Sequence, residues 1–280
     1  MIQKSYDGSP TVYLIPTPIG NLDDITLRAV DVLKNVDVIF SEDTRVTGLL
    51  LQHLNIKKKL IANHEYNEQE NNDKILSYLK DNKNVGIVTD RGTPIISDPG
   101  YGLVKVAIEN NYNVVGLPGP TALIPALITS GITPSPFLFY GFLNSKESKR
   151  IKELEELKKQ SATLIFYESP HRIQKTLENI LSVLGNRKIS ISREISKRYE
   201  EIIRGRIDDI LKDSVNMKGE FVIVVEGNTE GVDYTQISII EHVNSYIKEG
   251  TSVNEAIKLV AKVRGLNKKD VYNEYHEIKK

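Results

Sequence analysis

The sequence predicts an α/β protein of two domains followed by a small helical C-terminal extension. Three observations lead there. Short β-rich runs alternate with helical periodicity up to about residue 140, a more strand-rich stretch follows to about 230, and the remainder is helical throughout. The chain has 280 residues, more than a single core usually organises, and its 40% hydrophobic content suffices for two.

In the first domain, 1–140, the strands read TVYLI (11–15), VDVIF (36–40), VGIVT (85–89), NVVGL (113–117) and PFLFY (136–140). Helices are expected near 23–35, 67–80, 101–110 and 121–130. Short apolar strands separated by amphipathic helices indicate a largely parallel sheet covered on both faces. The polar stretch 141–150 opens a charge-dense helix to about Lys159, whose charges read as a solvated face. The second domain, 141–230, then has TLIFY (163–167), a helix near 170–183, RKISIS (187–192), YEEIIRGR (199–206), a short helix and GEFVIVVEG (219–227). In the extension, 231–280, Ile239, Ile240, Val243 and Ile247 form one helical stripe and Ala256, Ile257, Val260 and Ala261 another. Gly265 reads as a helix stop and Asn267 as the next N-cap, a pattern resembling a helix-turn-helix.

Composition excludes several classes of chemistry. The chain has no cysteine, which removes disulfides, thiolate metal sites and cysteine nucleophiles. The five histidines include no i,i+4 pair and no H-E-x-x-H, so no metal site is predicted. No P-loop and no strand-following G-x-G-x-x-G is present. No apolar run suggests a signal peptide or a membrane span, and the expected setting is cytoplasmic. Lys+Arg and Asp+Glu both number 37, so any nucleic-acid contact must come from a local patch.

The informative feature is Gly and Pro placed directly after predicted strands: PTPIGNL (16–22), DRGTPIISDPG (90–100) and LPGPTALIPAL (117–127). Ligands of open α/β sheets sit outside the carboxyl ends of the strands. Glycine lets backbone approach a ligand and proline fixes the turn, so the loops together predict a backbone-lined pocket.

The segments 16–45, 89–104, 117–127, IFYESPHRI (165–173), SREISKRYEEIIRGR (192–206) and 219–227, in this order across almost the whole chain, resemble the small-subunit ribosomal RNA methyltransferase I family. EDTR, GTP-x-ISDPG and YESPHR carry most of the specificity. The resemblance implies a tetrapyrrole-methylase-like fold and a homodimer that binds S-adenosylmethionine between two domains. It further implies 2′-O-methylation of a cytidine ribose in the decoding region of small-subunit (16S) ribosomal RNA. On matching positions it assigns the cofactor to Pro18, to Thr89, Asp90, Gly92 and Thr93, to Pro118, Gly119, Thr121 and Ala122, and to Tyr167 and Gly205 of the second domain. Where relatives usually carry a small residue this chain has Arg91, which pairs with Asp90 or Asp98, reaches the cofactor carboxylate or points to solvent.

Methyl transfer from a sulfonium needs in-line positioning and at most a base for the hydroxyl proton. The candidates are Asp43 first, then His64 and Glu42, with Glu65, Glu168 and His171 also expected at the pocket border. Each acid has an alternative role as a helix cap or ion-pair partner. Arg45, Arg172 and Arg193, with Glu168 and His171, are candidates for RNA contact. The competing readings are a methylase of a tetrapyrrole or another small metabolite, and a non-catalytic RNA-binding assembly factor. Without cysteine, the thiolate addition that carbon-5 pyrimidine methylation generally requires is closed to this chain.

Overall fold

The computed structural model describes residues 3–5, 7–64, 68–212, 218–228, 237–248 and 250–276. Five strands, β1 (Thr11–Leu14), β2 (Val38–Ser41), β3 (Lys59–Ala62), β4 (Val85–Val88) and β5 (Asn113–Gly116), form a wholly parallel sheet in the order β3-β2-β4-β1-β5. Such a sheet must be covered on both sides, and side chains alternate accordingly. Val38 and Phe40 of β2 join Val85 and Ile87 of β4 on one face, under Ile75, Leu79, Leu103 and Ala107 of α3 (Glu68–Lys80) and α4 (Tyr101–Glu109). Ile39 and Val88 turn to the other face, with Ala29 and Leu33 of α1 (Leu27–Asn35) and Leu51 of α2 (Thr44–His53).

Two of these elements are additions to the sequence reading, β3 and α2. The four-residue β3 is an edge strand with one residue exposed, so its apolar signal is short. In α2 the β-branched Val46 and Thr47 and Gly48 dilute helix propensity. The helix is instead started by Asp43, whose side chain accepts a hydrogen bond from the Arg45 N–H.

The second sheet has the order β6-β7-β10-β8-β9, from β6 (Phe137–Phe142), β7 (Thr163–Glu168), β8 (Lys188–Arg193), β9 (Glu201–Arg206) and β10 (Phe221–Val225). β6 and β7 are parallel and the remaining pairs antiparallel. One face packs on α6 (Glu147–Leu157), α7 (Ile173–Leu184) and α8 (Ile207–Lys212), where Ile173, Leu177, Ile180 and Leu184 of α7 supply a continuous stripe. The other face receives Ala126 and Leu127 of α5 (Leu123–Thr129), the helix that follows β5, against Ile165, Val222 and Val224. A helix issuing from the first sheet thus packs on the second, and both sheets belong to one compact unit, residues 1–158 with 162–226.

Residues 159–161 and 227–280 form the other unit. There α9 (Ile239–Lys248), α10 (Val253–Arg264) and α11 (Lys268–Tyr275) bury Val243, Ala256, Ile257, Val260 and Val271. Gly265 ends α10 at φ 65°, and the Asn267 side chain accepts from the Lys269 N–H to start α11, as their sequence context predicts. Among the described residues no helix is long and apolar enough to cross a membrane.

Candidate active site

The strand order places β4, β1 and β5 side by side, so the three Gly/Pro loops leave adjacent carboxyl ends of one parallel sheet. They are tied to one another by short hydrogen bonds. Thr17 and Gly92 exchange backbone bonds of 2.9 and 3.0 Å, the Thr17 hydroxyl donates to the Thr89 carbonyl at 3.1 Å, and the Thr93 hydroxyl donates to the Pro120 carbonyl at 3.1 Å. Two glycines are required by this arrangement. Gly92 sits at φ 82°, and a Cβ on Gly119 would lie 2.7 Å from the Pro16 ring. The middle loop also holds Ile95 at φ 77° and Ser97 at φ 69°, strained conformations that cost on the order of 1–3 kcal/mol each and are met mainly at functional sites.

Above the loops lies a cleft of about 460 Å³, within the range of small-molecule sites. The first sheet's loops supply Ile19, Gly92, Thr93, Ile96, Asp98, Thr121 and Ala122 to its wall, and the second sheet supplies Phe142, Tyr167, Ile195, Phe221 and Val222. Tyr167 pairs with Val222 in the ladder, its ring packs edge-on to Phe139 at 4.9 Å, and its phenol bonds to Thr121 across the cleft. Burial pushes that phenol up, against the opposing pull of the Thr121 bond.

Behind the loops a set of carboxylates shares few donors. Glu42 Oε2 accepts from the Thr89 hydroxyl at 2.8 Å and from the Asp90 N–H at 3.4 Å, and Asp90 Oδ1 accepts from the Asp43 N–H at 3.0 Å. Burial raises the Asp90 carboxyl, with the Asp43 N–H opposing. Asp98, in the cleft wall, is pushed up to about 6 by burial first and then by the charge of Glu42, with the Thr89 hydroxyl opposing and Asp90 adding to the rise.

Asp43 behaves differently. Arg45 donates to it from Nε at 3.0 Å and Nη2 at 2.6 Å, and these bonds with the capped backbone N–H hold its carboxyl down to about 2. So bound, it is a helix cap and a weak base, and it lies outside the cleft wall, as do Glu42 and His64. His64 is exposed beyond β3, and Glu65 lies outside the described residues.

Of the residues assigned to cofactor, Gly92, Thr93, Thr121, Ala122 and Tyr167 line the cleft. Thr89 and Asp90 stand behind it in the carboxylate set, Pro18 is buried beside Ile19, and Pro118 and Gly119 are exposed in the third loop. Gly205 is a correction: it sits on edge strand β9 opposite Ile189, away from the cleft wall.

The RNA-contact assignments also need correction. The Glu168 side chain is wholly buried, accepting from the Ser169 N–H at 2.7 Å and the Thr176 hydroxyl at 2.6 Å, with Arg172 Nε at 3.3 Å. Arg172 also donates to the Leu143 carbonyl at 2.5 Å, so YESPHR pins the start of α7 to the end of β6. Arg193 is nearly buried and bonds Glu201 at 3.1 Å. Arg45 and His171 remain exposed. Arg91 takes neither aspartate: its guanidinium pairs with Glu220, at the start of β10.

The sequence reading did not assign Asp98, Ile96, Ser169, Ile195 or Phe221 to the site. All five lie in quoted segments, Ile96 and Asp98 in ISDPG, Ser169 in YESPHR, Ile195 in SREIS and Phe221 in GEFVIVVEG, but nothing in those segments marks which residues face the cleft.

Residues 11–211 match the family of tetrapyrrole (corrin/porphyrin) methylases. The chain is 46% identical to ribosomal RNA small subunit methyltransferase I of Bacillus subtilis, over 98% of each chain. It is 42% identical to the protein of that name from Streptococcus pyogenes serotype M18, over 99% of each. Among solved structures it resembles uroporphyrin III C-methyl transferase from Thermus thermophilus (TM-score 0.54, 19% identity, 77% of this chain and 97% of that one). It also resembles the methyltransferase CobJ (TM-score 0.58, 18% identity, 78% and 95%). At such identities the structural likeness establishes the fold, whereas the near-complete matches at 42–46% reach further. Within the tetrapyrrole methylase fold, the chain belongs to the ribosomal RNA small subunit methyltransferase I family.

Proposed function

We propose that this protein is a cytoplasmic enzyme that methylates the 2′-oxygen of a cytidine ribose in the decoding region of 16S ribosomal RNA, with S-adenosylmethionine as donor. The observation that carries the reading is the convergence of three strand-end loops and β7 on one cleft, in a chain of this family.

The cleft suits the donor. Its loops offer backbone approach at Gly92 and small side chains at Thr93, Thr121 and Ala122, and Ile96 and Phe221 offer apolar surface. Thr93, Thr121, Ala122 and Tyr167 would hold the donor, with Asp90 and Thr89 fixing the loop behind it. When bound, the donor supplies an electrophilic methyl on a sulfonium that departs as a neutral thioether. The chain's own part is to orient that group, exclude water with the apolar wall and manage the hydroxyl proton.

A homodimer fits the apolar side chains left open on α1 and α2, with Leu27 90% and Leu49 68% exposed. Incubation of unmodified small subunits with labelled donor, followed by digestion and nucleoside mass spectrometry, tests the whole reading. The expected product is 2′-O-methylcytidine. Methyl on a base, or no transfer, overturns it.

A further inference from the structure

Three carboxylates border the cleft, and two are already committed. Glu168 points inward to Ser169, Thr176 and Arg172, and Glu220 is shared by Arg91 and by Lys197 at 2.8 Å. Asp98 is different. Among the described residues no cation pairs with it, and it shares the single proton of the Thr89 hydroxyl with Glu42, to which that hydroxyl donates at 2.8 Å. Its position is fixed on both sides, by Ser97 in the left-handed region before it and by Pro99 after it, which holds the preceding residue extended. Such a carboxylate is pre-oriented into the cleft with acceptor capacity to spare.

We propose that Asp98 is the general base, its carboxylate accepting the 2′-hydroxyl proton of the ribose being methylated. The assignment rests on the function proposed above and deepens it. As the O–H bond breaks, the proton passes to an Asp98 oxygen, the ribose oxygen's electron pair forms the new bond to methyl carbon, and the old carbon–sulfur pair stays on sulfur. The Asp98 proton is then lost to solvent.

The other candidates are placed less well. Asp43 is clamped by Arg45, Glu42 is behind the wall, and His64 is outside it. The groups facing Asp98 are Glu42 from the end of β2, Asp90 from its own loop and Tyr167 from β7. The two carboxylates and burial bring its proton affinity to about 6, near the working pH that favours a base.

The test uses the full-length chain, unmodified small subunits and S-adenosylmethionine. Asp98→Asn should lower the single-turnover rate about a hundredfold or more while donor affinity by calorimetry stays within about threefold, and Asp98→Glu should recover part of the rate. The wild-type rate should rise about tenfold per pH unit below pH 6 and level off above it, and the Asn variant should lack that rise. The readout independent of turnover is that calorimetric affinity, which should not follow the loss of rate. A loss of donor affinity matching the loss of rate would make Asp98 a donor anchor and overturn the proposal. So would an unchanged rate or an unchanged pH profile. If the wild-type product carries methyl off the ribose, the function itself is wrong and the base assignment falls with it, an outcome read from wild type alone.

Discussion

Arg91, in the loop after β4, forms an ion pair with Glu220 at the start of β10, joining the two walls of the cleft at its rim. Both side chains are more than half exposed and Glu220 is shared with Lys197, so the pair is screened by solvent and contributes at most about 1 kcal/mol to stability. Arg91→Ala should therefore shift unfolding only slightly, and the shift should shrink in high salt.

Asp90→Ala should weaken donor binding more than Arg91→Ala. Asp90 accepts the Asp43 N–H and so locks the ends of β2 and β4 beneath the cleft, whereas Arg91 reaches across the rim to Glu220. Calorimetry on both variants decides the order, and equal or reversed losses would show that Arg91 has the larger role.

Asp43→Ala should lower the thermal midpoint by a few degrees through loss of the α2 cap, and change donor affinity little. The folded carboxyl is depressed, from 3.8 to about 2, so its stabilising effect is complete above pH 3.8 and is lost as pH falls through 2. Acid unfolding of the wild type and the variant should converge at the lowest pH. A large loss of methylation at unchanged stability would return Asp43 to the chemistry.

Asp98 carries the opposite sign. Its folded carboxyl is raised from 3.8 to about 6, so its ionisation disfavours the fold increasingly as pH rises from 3.8 to 6, and the penalty persists above. Asp98→Asn should unfold at a higher temperature than wild type at pH 7–8, with the advantage gone below pH 4. A destabilised variant at pH 8 would contradict this.

Gly92→Ala should destabilise the chain by about 1 kcal/mol, because a Cβ at φ 82° is strained. Gly119→Ala should act mainly on the site, since its methyl would collide with Pro16 and push the first and third loops apart. The check is thermal midpoint against donor affinity: Gly119→Ala should show the greater loss of affinity per degree of destabilisation.

Ending the chain after Asn228 should preserve donor binding and abolish methylation of small subunits. The two sheets and the cleft lie within 1–226, and α9–α11 have a core of their own. Circular dichroism and calorimetry on the shortened chain check the first part, and transfer of labelled methyl the second.

What the sequence determined by itself was local or periodic. The strand runs, the apolar stripe of α7, the Gly265 stop and the Asn267 cap depend on neighbours within one or two turns, so composition at fixed spacing suffices to read them. The three Gly/Pro loops were legible for the same reason. Only the tertiary structure decided their company. Adjacency of β4, β1 and β5 comes from strand order, and burial of Glu168, the partial burial of Asp98, the reach of Arg91 to Glu220 and the removal of Gly205 to an edge strand all depend on residues distant in the chain. A carboxylate's role follows from its solvation and its partners, and both are supplied by packing between elements.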